Sequence, residues 1–289
     1  MSSRENHAAV KAMYGAIIGD VVGSVYEFNN IKEKDFKIFP PKAFFTDDTV
    51  MTLAIADALL NNAERSDRGG PFWLNITDEQ WRTDFTRSMR QIGRHYPCCG
   101  YGRKFFDWVF TDGAPAYRSS GNGSAMRVSP VAYFAWTLED CERLARLSSE
   151  VSHDHPDGIA GAQATAGAVY LALNGATKDE IKAYVEQYYK IDFTLDEIRP
   201  AYTFDHFAAL CAGTVPYAVE AFLESTSFED CLRNTISIGG DSDTLAAISC
   251  AIAEAYYGVP LQLKRGVISY LSKELRQIMF ALDHIGRGF

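Results

Sequence analysis

Residues 45–60 read FTDDTVMTLAIADALL, an acidic start followed by a largely apolar run. Apolar residues recur in that run every three or four positions, as they do along one face of an α-helix. Thr and Asp side chains just before such a run are typical of a helix amino terminus, because their oxygens accept hydrogen bonds from free N–H groups. We therefore predict a helix over residues 50–60 that begins beside an acidic cluster.

The same kind of signal recurs along the chain. Capping boxes open three further segments, at residues 77–80, 177–180 and 194–197. Asn174-Gly175 predicts one helix end, and Gly258 with Pro260 predicts another. Alternating β-branched runs between hairpin turns are missing from the sequence, so we expect no sheet. The prediction is an all-α fold, one compact helical domain over residues 1–289.

Three other stretches are informative. Residues 34–45, which contain Pro40-Pro41, are predicted to be a loop, and residues 97–123 a second irregular region. The uncharged run over residues 158–177 consists mainly of Gly, Ala, Thr, Gln and Asn. It is too weakly apolar to span a bilayer, so we interpret it as an interior helix.

The composition excludes some classes of partner. The formal net charge is −9, which argues against an extended nucleic-acid surface. The amino terminus carries early charges and lacks the apolar core of a secretory leader, and the six cysteines show no paired spacing. We expect a cytoplasmic protein with reduced thiols and no membrane partner. Monomer is the default expectation.

A second acidic cluster, Gly239-Gly240-Asp241-Ser242-Asp243-Thr244, precedes an Ala-rich helical stretch at residues 245–257. Such a cluster is usually an ordinary helix cap. Two clusters supply four carboxylates, however, and buried like charges are costly unless a cation neutralises them. Carboxylate and hydroxyl oxygens without Cys suit Mg²⁺ or Mn²⁺, and four carboxylates make two ions plausible. Both interpretations stay open on spacing alone.

Two shorter motifs carry further chemistry. Residues 121–127 read GNGSAMR, and the glycines of such a turn let a diphosphate approach backbone N–H groups, although an ordinary turn has the same pattern. His153 and His155 precede Pro156 at the start of a predicted helix. A pair at this spacing could bind a metal or have a structural role.

Taken together, the motifs resemble the ADP-ribosylglycohydrolase family. The matching segments are residues 15–20 with 23–28, 45–49, 121–127, 152–156 and 239–244. They occur in the family's order and cover nearly the whole chain. The resemblance implies an all-helical bundle with a central cleft that binds two Mg²⁺ or Mn²⁺ ions.

The resemblance also implies roles for individual residues. The implied metal ligands are Thr46, Asp47, Asp48, Asp241, Asp243 and Thr244. Glu27 falls where the family has a glutamate on a mobile loop, suited to a general base or to gating. Asp47 is a second carboxylate that could assist the attacking water.

For the substrate, the resemblance implies a wall that holds ADP-ribose. Its members are Asn122, Gly123, Ser124 and Met126. His153 is expected to contact the distal ribose or phosphate, whereas Arg127 could brace the loop or touch a phosphate.

The activity implied is metal-dependent hydrolysis of the glycosidic bond between ADP-ribose and an acceptor. An ADP-ribosylated protein with an arginine linkage is the favoured substrate. Serine-linked, nucleic-acid-linked and small-molecule ADP-ribosides are alternatives, as is a non-catalytic module that binds ADP-ribose.

Overall fold

A computed structural model describes residues 13–64 and 76–285, which form fifteen helices and no strand. The helices in chain order are α1 (Tyr14–Gly23), α2 (Asp47–Glu64), α3 (Asp78–Gly93), α4 (Arg103–Phe110), α5 (Gly123–Met126), α6 (Pro130–Phe134), α7 (Leu138–Glu150), α8 (Pro156–Leu173), α9 (Lys178–Val185), α10 (Leu195–Ile198), α11 (Cys211–Leu223), α12 (Phe228–Ile236), α13 (Ser242–Tyr257), α14 (Leu261–Ile268) and α15 (Lys273–Ile285). The all-α prediction is confirmed, and the sole β contact in the described ranges is an isolated bridge between Gly121 and Leu210.

Helix α13 forms the centre of the fold. Its residues 242–254 are all buried, and it packs against α1, α8, α11 and α12. Most of these buried residues are small or aliphatic, which lets several helices approach one axis closely. The acidic start of α13 therefore lies inside the protein.

Three glycines of α1 allow it to pack tightly on α13. Gly15, Gly19 and Gly23 are four residues apart and so share one helix face. A Cβ added at Gly19 would lie 2.1 Å from the carbonyl oxygen of Ala246, and one at Gly23 would lie 2.4 Å from the Cα of Asp243. Any larger residue would push the two helices apart, so this spacing brings the end of α1 to the start of α13.

The predicted capping boxes are present at two of the three positions. At Thr177 and at Thr194, both reciprocal hydrogen bonds of the box form. At Thr77 the hydroxyl accepts from the Gln80 N–H, but the Gln80 side chain donates instead to Asp84. The Gln80 side chain is thus hydrogen-bonded to the buried Asp84 carboxylate and does not complete the capping box.

The predicted helix ends and the first predicted loop are confirmed, whereas the second predicted loop is confirmed only in part. Gly175 and Gly258 follow their helices with φ of +80° and +75°, as expected for helix ends. Residues 34–45 contain no helix, as predicted, but the prediction for residues 97–123 is wrong in part because α4 lies within them. Helix α4 has only 8 residues, about two helical turns, and a helix this short shows little apolar periodicity in the sequence.

Two further expectations concern the interior. The uncharged run forms α8, and no helix in the described part of the chain is long and apolar enough to cross a membrane. All six cysteines are free thiols, and of these only Cys98 is exposed.

Candidate active site

The structure brings the two acidic clusters together. Helix α2 begins at Asp47, and α13 begins at Ser242 with Asp241 as its N-cap residue. The Thr244 hydroxyl donates to the Asp48 carboxylate at 3.4 Å, across 196 residues of sequence. Two helix amino termini thus face one site in the interior.

Six carboxylates surround this site, and five of them belong to the predicted residues. Carboxylate oxygens of Asp20, Asp48 and Asp243 lie within 4.8 Å of one another, and so do those of Glu27, Asp241 and Asp243. Asp243 is common to both groups. Asp47, the sixth, is adjacent to Asp48 at the start of α2.

Sequence reasoning missed Asp20 as a site residue. Helix α1 is buried throughout, and Asp20 is its only charged residue. A lone carboxylate in a fully apolar helix is a signal in the sequence, because such a group is buried only when it has partners. Its partners come from α2, which periodicity within α1 does not reveal.

Asp20 supplies the cap of α2. Its carboxylate accepts from the Thr46 N–H at 2.9 Å, the Thr46 hydroxyl at 2.7 Å and the Thr49 N–H at 3.0 Å. In the other cluster, Asp241 forms no side-chain capping hydrogen bond although it occupies the N-cap position. Helix capping therefore does not account for Asp47, Asp48 or Asp241.

The electrostatics of the site call for a cation. Among the described residues, the ion pairs between basic and acidic side chains include none of the six carboxylates. Burial, reinforced by Asp20, Asp241 and Glu27, raises the pKa of Asp47 to about 8. Burial and neighbouring carboxylates likewise raise the pKa of Asp48 well above its usual range. A divalent cation would neutralise this charge.

The donor atoms fit a hard divalent cation. Oδ1 of Asp48 is buried and has no hydrogen-bond partner in the described part of the protein. The side-chain atoms of the two groups are carboxylate oxygens, with no histidine or cysteine among them. This donor set suits Mg²⁺ or Mn²⁺.

Glu27 lies in the turn that follows α1. It is partly exposed, unlike Asp241 and Asp243, which it approaches. Burial, with Asp241 and Asp20 nearby, raises the pKa of its carboxyl group to about 7. Glu27 thus lies on a turn beside buried carboxylates, and its role as a general base or gate stays a prediction.

Two of the predicted substrate residues contact α13. Asn122 donates its side-chain amide to the Asp241 carboxylate at 2.7 Å and to the Thr214 hydroxyl at 3.0 Å. The Met126 sulfur lies 3.9 Å from the Thr244 hydroxyl. The 121–127 segment is thereby attached directly to the acidic site.

Gly123 and His153 face each other. A Cβ added at Gly123 would lie 3.1 Å from His153 Nε2, while Nδ1 of this histidine is 2.9 Å from the Ser152 hydroxyl. Burial, together with the charge of Arg127, lowers the pKa of His153 well below its usual value, which favours the neutral ring. The Ser124 hydroxyl donates to a backbone carbonyl at 2.7 Å. Contact of these residues with substrate stays a prediction.

His155 and Arg127 have structural contacts. Nδ1 of His155 accepts from the Asp157 N–H at the start of α8, so His155 is the N-cap of that helix. Arg127 is fully buried and donates to the Ser148 carbonyl and the Ser152 hydroxyl. These contacts connect the 121–127 segment to the end of α7 and the residues after it, so Arg127 braces the loop.

Gly100 lies in the 100–102 loop, which the resemblance places near the substrate cleft without assigning Gly100 a role. Its φ is +114°, a conformation that favours glycine, and a Cβ there would lie 3.0 Å from Asp47 Oδ1. The loop before α4 therefore forms one side of the site.

Comparison with known proteins agrees with this geometry. Residues 1–282 match the family model described as ADP-ribosylglycohydrolase. The chain belongs to the ADP-ribosylglycohydrolase family. The family resemblance is confirmed, and membership identifies the protein as a glycosidic-bond hydrolase that acts on ADP-ribosyl groups.

Named relatives of this family member are distant but cover most of its length. ADP-ribosylhydrolase ARH3 of Mus musculus is 26% identical, over 85% of this chain and 82% of its own. ADP-ribosyl-[dinitrogen reductase] glycohydrolase of Rhodospirillum rubrum is 24% identical, over 95% of this chain and 94% of its own. A solved structure, "ADP-ribosylglycohydrolase-related protein complex", has the same fold, with a TM-score of 0.67, 23% identity, and coverage of 99% and 100%.

Proposed function

We propose that this hydrolase uses two divalent cations, Mg²⁺ or Mn²⁺, to cleave the bond between ADP-ribose and an arginine side chain of a modified protein. The observation that carries the proposal is the set of six carboxylates that lie together, none of which forms an ion pair with a basic side chain among the described residues. A divalent cation would neutralise the charge of a site with these oxygen donors.

The residues that would hold the ions come from both helix starts. Thr46, Asp47 and Asp48 form one set, and Asp241, Asp243 and Thr244 form the other. Asp243 belongs to both carboxylate groups, so it is the residue best placed to serve two ions. Bound cations would fix the ribose hydroxyls and make water more acidic.

The protein's own side chains account for the remaining steps. The Glu27 carboxylate, at the exposed side of the site, would take a proton from the attacking water, and Asp47 is the second candidate for this role. The surrounding carboxylates would stabilise the positive charge that develops on the ribose ring as the glycosidic bond breaks. A covalent enzyme intermediate is not required.

The substrate would lie against the 121–127 segment. We assign Asn122, Gly123, Ser124 and Met126 to the ADP-ribose wall. The neutral ring of His153 next to Gly123 offers Nε2 to the distal ribose or phosphate. Because the Asn122 amide is bonded to Asp241, the wall and the ion site would keep a fixed spacing.

A panel of linkages tests the acceptor. Release of ADP-ribose would be measured from arginine-linked, serine-linked and nucleic-acid-linked substrates and from a small ADP-riboside. We expect the largest kcat/KM for the arginine linkage. A larger kcat/KM for another linkage would show that arginine is not the preferred acceptor. Tight binding of ADP-ribose without turnover of any substrate would favour the non-catalytic module.

A further inference from the structure

The side chain of Asn30 attaches the turn that carries Glu27 to the segment just before α13. Nδ2 of Asn30 donates to the carbonyl of Tyr26 at 2.7 Å and to that of Glu27 at 2.9 Å. The same amide pairs with the main chain of Gly240, since Nδ2 donates to its carbonyl at 2.9 Å and Oδ1 accepts from its N–H at 2.8 Å. A single amide thus joins backbone segments 210 residues apart.

The two segments carry carboxylates that repel each other. Gly240 immediately precedes Asp241, whose carboxylate lies in the same group as that of Glu27. Repulsion between like charges at this separation acts to move the Glu27 turn outward. The hydrogen bonds of Asn30 oppose that movement.

The glycine turn is shaped to receive Asn30. Gly239 and Gly240 both have positive φ, of +79° and +70°. A Cβ added at Gly239 would lie 3.2 Å from Cβ and Cγ of Asn30 and 2.9 Å from Nζ of Lys32. Lys32 adds a second connection, because Nζ donates to the carbonyls of Tyr202 and Ile238.

We propose that Asn30 is a positioning residue that holds the Glu27 carboxylate beside Asp241 and Asp243. This inference rests on the proposed function, since it assigns Asn30 an effect through Glu27. An amide at position 30 meets the requirement, because its two N–H bonds are shared among the three carbonyls of Tyr26, Glu27 and Gly240 while its oxygen accepts from the Gly240 N–H. Aspartate has the same shape but cannot donate.

Hydrogen–deuterium exchange tests the positioning independently of activity. In Asn30→Ala and Asn30→Asp we expect the amides of residues 24–31 and of Gly240 to exchange about tenfold faster, because hydrogen bonds that close the turn are lost. Asn29→Ala and Asn29→Asp are matched controls at an exposed neighbouring position, and their exchange should equal that of the wild type. Unchanged exchange in both Asn30 variants would overturn the inference.

A double-mutant cycle with Glu27→Gln separates positioning from general damage. We expect Asn30→Ala to lower kcat about 10- to 100-fold in the wild type, to leave Mn²⁺ affinity within about twofold, and to have little further effect in Glu27→Gln. An equal loss of kcat in both backgrounds would contradict an effect through Glu27. Full activity of Glu27→Gln would instead contradict the proposed function, and the exchange experiment would still decide whether Asn30 closes the turn.

Discussion

The Thr46 hydroxyl donates its hydrogen to Oδ1 of Asp20 at 2.7 Å, so the lone pairs of the Thr46 oxygen are directed away from Asp20. Asp20 also accepts from the N–H groups of Thr46 and Thr49. The side chain thus fixes both the rotamer of Thr46 and the first turn of α2. A ligand held by such a partner is oriented before a cation binds.

Replacement of Asp20 should therefore weaken cation binding. Asparagine presents one acceptor oxygen and turns an N–H group toward existing donors, so we expect Asp20→Asn to lower Mn²⁺ affinity about 10- to 100-fold. Isothermal titration with Mn²⁺ measures this. Asp57→Asn is the matched control, because Asp57 lies further along α2 and its carboxylate accepts from Ser88 and Asn61. Equal affinity in the two variants would contradict the role of Asp20.

Divalent cations should stabilise the folded protein. The carboxylates repel one another until a cation neutralises them, and a cation at about 100 times its Kd adds about 2.7 kcal/mol to the free energy of unfolding. We expect Mg²⁺ or Mn²⁺ to raise Tm by roughly 5 °C or more relative to EDTA. Differential scanning calorimetry checks this, and the shift should be lost in Asp243→Asn. A wild-type Tm that is the same in EDTA and in Mn²⁺ would argue against an ion site.

The contact of α1 with α13 should not tolerate a side chain at Gly19. A methyl group there would meet the Ala246 carbonyl, so Gly19→Ala should lower the free energy of unfolding by about 1–3 kcal/mol or more. Urea denaturation measures the loss. Gly102→Ala is the control, because a Cβ at Gly102 meets nothing within 4 Å. A Gly19→Ala protein as stable as the control would show that the helices can separate at little cost.

A buried carboxyl group outside the acidic site, that of Glu220, should make stability depend on pH. Burial, with Glu224 nearby, raises the pKa of Glu220 in α11 from its usual 4.5 to about 7. The folded protein therefore binds this proton more tightly than the unfolded chain does. The protonated Glu220 therefore contributes to the free energy of unfolding. This contribution is fully present below about pH 4.5 and is lost as pH rises through about 7.

Glu220→Gln should remove that dependence. In saturating Mg²⁺ we expect the variant to exceed the wild type by about 1–2 kcal/mol at pH 8 and to match it near pH 5. Urea denaturation at each pH gives the difference in unfolding free energy, and Glu139→Gln, at an exposed position, should show none. A constant difference between wild type and Glu220→Gln across this range would contradict a raised pKa.

Much of the fold could be predicted from local sequence. The capping threonines, the glycine helix ends and the apolar periodicity of α2 are features of neighbouring residues, and the structure has helices where they indicate them. Helix α4 could not be predicted because its 8 residues are too few to show a clear apolar periodicity. The acidic clusters were visible because they combine several carboxylates at one helix start.

The site residues that could not be predicted from the sequence are held by contacts between distant segments. Asp20 meets α2, and Asn30 meets Gly240, through hydrogen bonds that span 26 and 210 residues. These contacts depend on the packing of α1 and the turn after it against α2 and α13, and that geometry is not encoded in local periodicity. The same applies to Asn122, whose amide bonds to Asp241 as well as lying in the predicted substrate wall.

Release of free ADP-ribose from an arginine-ADP-ribosylated protein, followed in Mg²⁺, in Mn²⁺ and in EDTA, tests the central claim most directly. We predict release with either cation, none in EDTA, a rate at least about 100-fold lower for Asp48→Asn, and an unchanged rate for Asp57→Asn. Release that continues at full rate in EDTA, or in Asp48→Asn with cation present, would contradict a cation-dependent hydrolase built on these carboxylates.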